Sequence, residues 1–159
     1  SQGRNNVLAL MFDMNLLWEK FIYQSIRKHK SNETTITAQP NKKFWKANNG
    51  SNSIMKPDIV INLGKENCIV LDAKWKNLNG HNPLPEDLRQ MYTYLKYFKA
   101  LKVALVYPGE ANLIQGGKYF NEDGNIGVTE CSLISLSVEK EINNWQKKIS
   151  IQIQDWTSC

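Results

Sequence analysis

Apolar residues recur at four-residue spacing near the start of the chain. Leu17 and Phe21 form one row, and Trp18, Ile22 and Ile26 a second. That period predicts an amphipathic helix from Leu8 to about Lys30, with Asp13 or Asn15 available to cap its start. Residues 1–7 carry little apolar signal and read as a linker or frayed end. The next stretch, Ser31 to Ser53, is polar; a short strand is expected around Thr34 to Gln39, and Asn41 to Ser53 reads as an exposed loop. The pattern then changes. Lys56 to Leu63 and Cys68 to Trp75 are rich in Ile and Val and read as strands, joined by a short turn at Gly64-Lys65-Glu66. Asn77 to Pro85 is a loop, and Pro85 suits the first position of a helix because its missing N–H has no partner there anyway. Leu88, Met91, Tyr92, Leu95 and Phe98 trace one side of that helix. Leu101 to Tyr107 is apolar on both faces except for Lys102, as an interior strand would be.

Strand, helix and strand in that order imply a right-handed crossover joining parallel neighbours. Beyond Pro108-Gly109 the signal weakens. Gly116-Gly117 reads as a turn, Asp123-Gly124-Asn125 as a hairpin turn and Gly127 to Val138 as a strand. Ile142, Trp145, Ile149 and Ile153 suit a closing helix, while Ile149, Ile151 and Ile153 fit a strand equally well. No internal repeat is present. The whole is expected to be one α/β domain over residues 8–159, with its core at about 8–107 and additions at 108–159.

Composition changes this picture little. The 159 residues are 42% apolar and 22% charged, as in ordinary globular domains, and no apolar run is long enough for a membrane span or a secretory signal. The three cysteines, Cys68, Cys131 and Cys159, include no CxxC pair, which argues against a zinc site or disulfide framework and fits a reducing, cytoplasmic setting. The net charge of +5 favours an acidic partner such as nucleic acid. Lys42, Lys43, Trp45 and Lys46 interleave basic and aromatic groups, a combination suited to phosphate contact and base stacking.

The strand pair carries the chemistry. A three-residue turn at 64–66 sets Leu63 opposite Asn67, and the same register sets Asp58 opposite Asp72. Side chains alternate along a strand, so Asp72 and Lys74 share a face with Asp58, while Ile59, Ile61, Leu71 and Ala73 point the other way. Two carboxylates about 4 Å apart repel by on the order of 4 kcal/mol at an effective dielectric near 20. Lys74 offsets part of that, and a hard divalent cation such as Mg²⁺, or Mn²⁺ in its place, would offset the rest. On the following helix Gln90 and Tyr94 are four apart and share a face.

Lys56-Pro57-Asp58, Leu71-Asp72-Ala73-Lys74 and Gln90-x-x-x-Tyr94 together resemble the PD-(D/E)xK nuclease pattern. More closely, Phe12-Asp13-Met14-Asn15-Leu16-Leu17-Trp18-Glu19, Gln39-Pro40, Lys56-Pro57-Asp58-Ile59-Val60, Leu71 through Lys76, and Asp87-Leu88-x-Gln90-Met91-x-x-Tyr94 resemble the nuclease domain of the McrC family, over roughly residues 8–107. The resemblance implies a restriction-endonuclease-like α/β core with a mixed central sheet flanked by helices. It implies that Asp58, Asp72, the Ala73 carbonyl and Glu19 bind metal, and that Lys74 orients or activates water and steadies charge on phosphate. Gln90 would support the site, and Tyr94, Lys42, Lys43 and Lys76 would contact DNA.

The activity implied is metal-dependent DNA cleavage within a McrBC-like restriction complex, driven by an McrB-like GTPase, with dimerisation as a route to double-strand breaks. The rivals are another PD-(D/E)xK nuclease of repair or transposition, or a DNA-binding module without catalysis. No GxxxxGK[ST] phosphate loop occurs, so GTP hydrolysis would belong to the partner. The resemblance implies that the amino-terminal region by which McrC docks to the GTPase lies outside this sequence, which is then expected to be a fragment. Leu16 stands where the family pattern commonly has Arg. His29 and His81 form no metal pair or triad and read as a helix-end surface residue and an exposed loop residue.

Overall fold

The computed structural model describes residues 1–159, the side chain of residue 12 excepted, so that side chain of the Phe12–Glu19 resemblance lies outside the described residues. The elements are α1 (Gln2–His29), β1 (Ile36–Ala38), β2 (Lys42–Lys46), β3 (Asn52–Met55), β4 (Ile59–Ile61), β5 (Ile69–Ala73), α2 (Pro85–Tyr97), β6 (Lys102–Gly109), β7 (Leu113–Phe120), β8 (Ile126–Ser137) and α3 (Ile142–Thr157). A six-stranded sheet runs in the order β1-β4-β5-β6-β8-β7. β5, β6 and β8 are parallel neighbours, and β1, β4 and β7 pair antiparallel. This is the mixed α/β sheet expected of a restriction-endonuclease-like core.

Alternation along the strands divides the interior in two. Ile59, Ile61, Ile69, Leu71, Ala73, Ala104 and Val106 meet Trp18, Ile22 and Ile26 of α1 and Ile149, Ile153 and Trp156 of α3 on one face. Val60, Val70, Val103, Leu105 and Tyr107 meet Met91, Tyr94 and Phe98 of α2 on the other. Strands buried on both faces, with helices covering each, are what a parallel sheet requires.

Several boundaries differ from the sequence reading. α1 begins at Gln2, not Leu8. Of its two apolar rows only the Trp18–Ile22–Ile26 row is buried; Leu17 is 60% exposed. Asn15 is no cap: it lies inside α1, where its amide donates to the Met11 carbonyl. Asn41 to Ser53 is not a plain loop. It folds into a separate two-stranded hairpin, β2–β3, turned by Asn48-Asn49-Gly50. Both of its faces are largely exposed, so no alternation marked it. Gly116-Gly117 is not a turn but the interior of edge strand β7, where a Cβ on Gly116 would collide with the Glu130 carboxylate. The isoleucines at 149, 151 and 153 belong to a helix, with Ile149 and Ile153 buried and Ile151 exposed, the four-residue period prevailing over the two-residue one.

Candidate active site

The β4–β5 hairpin pairs Ile59 with Leu71, Val60 with Val70 and Ile61 with Ile69. Continuing that register by one step sets Asp58, just before β4, across from Asp72 near the end of β5. The turn that fixes it uses Asn62 and Gly64 at positive φ, with the Lys65 amide donating to the Asn62 carbonyl. Asp58 Oδ2 accepts the Ala73 amide at 2.8 Å, which ties the two strand ends together. Asp72 is buried and pairs with Lys74 Nζ at 2.9 Å.

The backbone around Lys74 is pinned from both sides. The Lys74 amide donates to the Val106 carbonyl at 2.9 Å, and the next amide, of Trp75, donates to Asn15 Oδ1 of α1 at 2.7 Å. The Trp18 indole also donates to the Val106 carbonyl. α1 therefore does more than cover the core: it holds the strand end that carries the lysine. Sequence reasoning assigned Asn15 only a cap, because nothing local marks a side chain that reaches a strand 60 residues away.

α2 brings a residue that sequence reasoning did not single out as functional. Asp87 is buried at the first turn of the helix and pairs with Lys74 Nζ at 3.5 Å and with Lys76 Nζ at 3.2 Å. An acid in a helix first turn ordinarily serves the helix dipole, so its position alone gave no further signal. One turn later Gln90 Nε2 donates to the Tyr94 hydroxyl at 2.9 Å. Tyr107 on β6 is also buried, and its hydroxyl has no hydrogen-bond partner among the described residues.

The titration behaviour follows from this crowding. Burial, then Asp72 and Glu19, push the Asp58 carboxyl up to about 9, against the Ala73 amide bond, which lowers it. Burial acts to lower the Lys74 pKa, but Asp72, Asp87 and Asp58 outweigh it and the net shift is upward. Tyr94 and Tyr107 are both shifted upward, first by burial and then by nearby carboxylates: Asp72 and Asp58 for Tyr94, Asp87 and Asp72 for Tyr107.

The structure thus brings together Asp58, Asp72, Lys74, Gln90 and Tyr94, with Ala73 between the acids and Lys76 beside them through Asp87. Glu19 acts on Asp58 electrostatically, but its Oε1 accepts from Gln39 Nε2 at 2.6 Å. Among the described residues, no group of three or more His, Cys, Asp or Glu side chains is gathered to hold a metal. Lys42 lies elsewhere: its Nζ donates to the Tyr97 carbonyl at the far end of α2. Lys43 lies beside it on the exposed hairpin.

Asp58 and Asp72 bring hard carboxylate oxygens together, the kind of donor that Mg²⁺ or Mn²⁺ takes, and the upward shift at Asp58 reflects burial and the negative charge of its neighbour.

Asp87→Asn is expected to loosen Lys74 and Lys76 without removing either carboxylate of the pair. Any cleavage rate should fall roughly 10-fold while Mn²⁺ affinity changes little, since charge-assisted hydrogen bonds to a carboxylate are worth about 1.5–3 kcal/mol and Lys74 keeps Asp72. Titration calorimetry alongside single-turnover kinetics checks both halves.

Residues 1–108 match the family model described as McrBC 5-methylcytosine restriction system component. The chain belongs to the McrBC family. The fold agrees. A chain of the Thermococcus gammatolerans assembly of McrB AAA+ hexamers with bound McrC superposes with a TM-score of 0.64 at 18% identity, over 90% of this chain and 33% of that one. This McrBC-family chain therefore spans about a third of the length of that relative. A second solved structure, that of SSO0001, superposes at a TM-score of 0.44 with 17% identity over 92% of this chain and 57% of that one. No curated protein matches. Among the described residues, no helix is long and apolar enough to cross a membrane.

Proposed function

We propose that this chain is the DNA-cleaving domain of a McrBC-type restriction complex, hydrolysing phosphodiester bonds with Mg²⁺ and recruited by an McrB-like GTPase. The observation that carries the reading is the juxtaposition of Asp58 and Asp72 at the paired ends of β4 and β5, beside the Lys74 ammonium. Family membership and the fold support the setting.

Asp58, Asp72 and the Ala73 carbonyl would hold the cation, with Glu19 acting on the pair from behind Gln39. The bound cation would supply Lewis acidity toward the phosphate and a lowered pKa for its water. The chain itself contributes charge placement and rigidity. Lys74, held between Asp72 and Asp87, keeps its proton and presents a cation where negative charge grows on the phosphate. The Asn15 and Val106 bonds fix the backbone on either side of it, so little reorganisation is needed when substrate arrives. The Tyr94 hydroxyl, oriented by Gln90, stays protonated and is available as a donor to a phosphate oxygen.

The deciding experiment incubates the chain with 5-methylcytosine-containing DNA, Mg²⁺, GTP and an McrB-like GTPase. Cleavage that requires methylation, GTP and the metal is the expected result. Cleavage independent of methylation and GTP would place the chain among nucleases of another process.

A further inference from the structure

The β2–β3 hairpin is a two-stranded sheet of its own, outside the six-stranded sheet that carries the aspartate pair. Every residue of β2 is exposed, and Met55 is the one buried residue of β3. Its root is fastened to the carboxyl end of α2. Lys42 Nζ donates to the Tyr97 carbonyl at 2.6 Å and lies 4.9 Å over the Phe98 ring, and Phe44 meets Tyr97 edge-on at 5.5 Å. Beyond the root the strand bulges between Lys43 and Trp45. A bulge sets two residues against one on the partner strand and re-aims their side chains. Here it leaves Trp45 62% exposed, with Phe44 at 51% and Ile54 at 52%.

The charge along this stretch of chain is of one sign. No Asp or Glu occurs between Glu33 and Asp58, a stretch that holds Lys42, Lys43, Lys46 and Lys56. Lys43, Lys46 and Lys56 are exposed, and among the described residues none of them forms an ion pair. Exposed aromatic rings interleaved with unpaired lysines suit a contact surface. An apolar protein partner suits it poorly, because protein interfaces are depleted of lysine. A polyanion carrying planar apolar groups suits it well. Paired bases already stack on each other, so an indole finds a free base face where a base is unpaired.

We propose that the β2–β3 hairpin is a second DNA-gripping element, separate from the Asp58–Asp72–Lys74 cluster, in which Lys43 and Lys46 hold phosphates and Trp45 stacks on an unpaired base. This deepens the reading that DNA is the substrate and rests on it.

Binding of labelled DNA, followed by fluorescence anisotropy in EDTA, tests this without requiring cleavage. The probes are a blunt duplex and the same duplex with a short single-stranded tail. Wild type is expected to prefer the tailed probe. Trp45→Ala should weaken binding to that probe by roughly 5- to 150-fold, the range of one base–aromatic stack, and leave the blunt duplex unchanged. Lys43→Ala/Lys46→Ala should weaken both probes and reduce the slope of log affinity against log salt by about 1 to 2. The proposal is overturned if Trp45→Ala leaves the tailed probe unaffected or weakens both probes equally, or if the lysine double variant keeps the wild-type salt slope. Trp45-dependent binding without cleavage under any metal would preserve the arm and sink the nuclease reading. Cleavage with Trp45→Ala binding unaltered would do the reverse.

Discussion

Lys74→Ala is expected to abolish DNA cleavage and to lower the melting temperature by roughly 6–12 °C. The first effect follows from charge. Among the described residues, Lys74 is the one ammonium paired with both Asp72 and Asp87, at 2.9 and 3.5 Å, and no other cation pairs with Asp72. Removing a group that opposes growing negative charge costs on the order of 100- to 1000-fold in rate. Losing the charge balance of the aspartate pair should add to that. The second effect follows from burial. The side chains of Asp72 and Asp87 are 5% and 12% exposed, and Lys74's own is 26% exposed. Truncating one partner of a buried pair strands the other charge, at about 3 kcal/mol. At roughly 2–4 °C per kcal/mol for a domain of this size, the melting shift follows. Asp87 still has Lys76 at 3.2 Å, so the stranded charge is mainly that of Asp72. Single-turnover cleavage well below the melting temperature, with thermal unfolding followed by circular dichroism, separates the two effects. A variant that cuts normally would remove Lys74 from the chemistry.

Asp58→Asn is expected to do the opposite to stability in the absence of metal. The Asp58 carboxyl stands at about 9 in the folded chain, against an ordinary 3.8. Its folded pKa is raised, so the folded state binds this proton more tightly than the unfolded one. That contribution to stability is full below about pH 4 and is lost progressively as pH rises toward 9. In EDTA the wild-type chain should therefore weaken as pH rises across that window, as far as this group is concerned. Asparagine carries no charge and can still accept the Ala73 amide through its Oδ1. The variant should be more stable than wild type near neutral pH by on the order of 1–4 kcal/mol, with the gap closing toward about pH 4. Adding Mn²⁺ should reverse the order, since only the wild-type pair gains from the cation. Urea unfolding in EDTA and in Mn²⁺, at several pH values, checks the sign. A wild-type chain that gains stability relative to Asp58→Asn as pH rises in EDTA would contradict it.

The sheet core was legible because its strands obey simple rules. β4, β5 and β6 are Ile- and Val-rich runs, and the turn after Leu63 set a register in which Ile59 does face Leu71. From that register alone Asp58 falls opposite Asp72. The β5–α2–β6 order likewise implied the parallel pairing that brings Leu71 beside Ala104. Where the signal was weak, the cause was exposure. β2 and β7 are almost wholly exposed, so neither shows a buried stripe, and Gly116-Gly117 looked like a turn because edge strands tolerate residues that interior strands do not.

The supporting shell of the site was hidden for a different reason. Asn15 and Asp87 act through contacts made only when three distant segments meet, and each also has an ordinary local explanation, as a helix cap and as a first-turn acid. Tyr107 belongs with them. On sequence it is the last residue of an apolar strand; in the fold its hydroxyl is buried without a partner among the described residues, close enough to Asp87 and Asp72 for both to raise its pKa.

The most direct measurement is anomalous diffraction from crystals grown in Mn²⁺. A peak between the carboxylates of Asp58 and Asp72, within roughly 2.0–2.4 Å of an oxygen from each, is the expected result, with Lys74 still beside Asp72. Ordered crystals in which no manganese lies between them, even at millimolar metal, would contradict the claim that this pair is built to hold a cation.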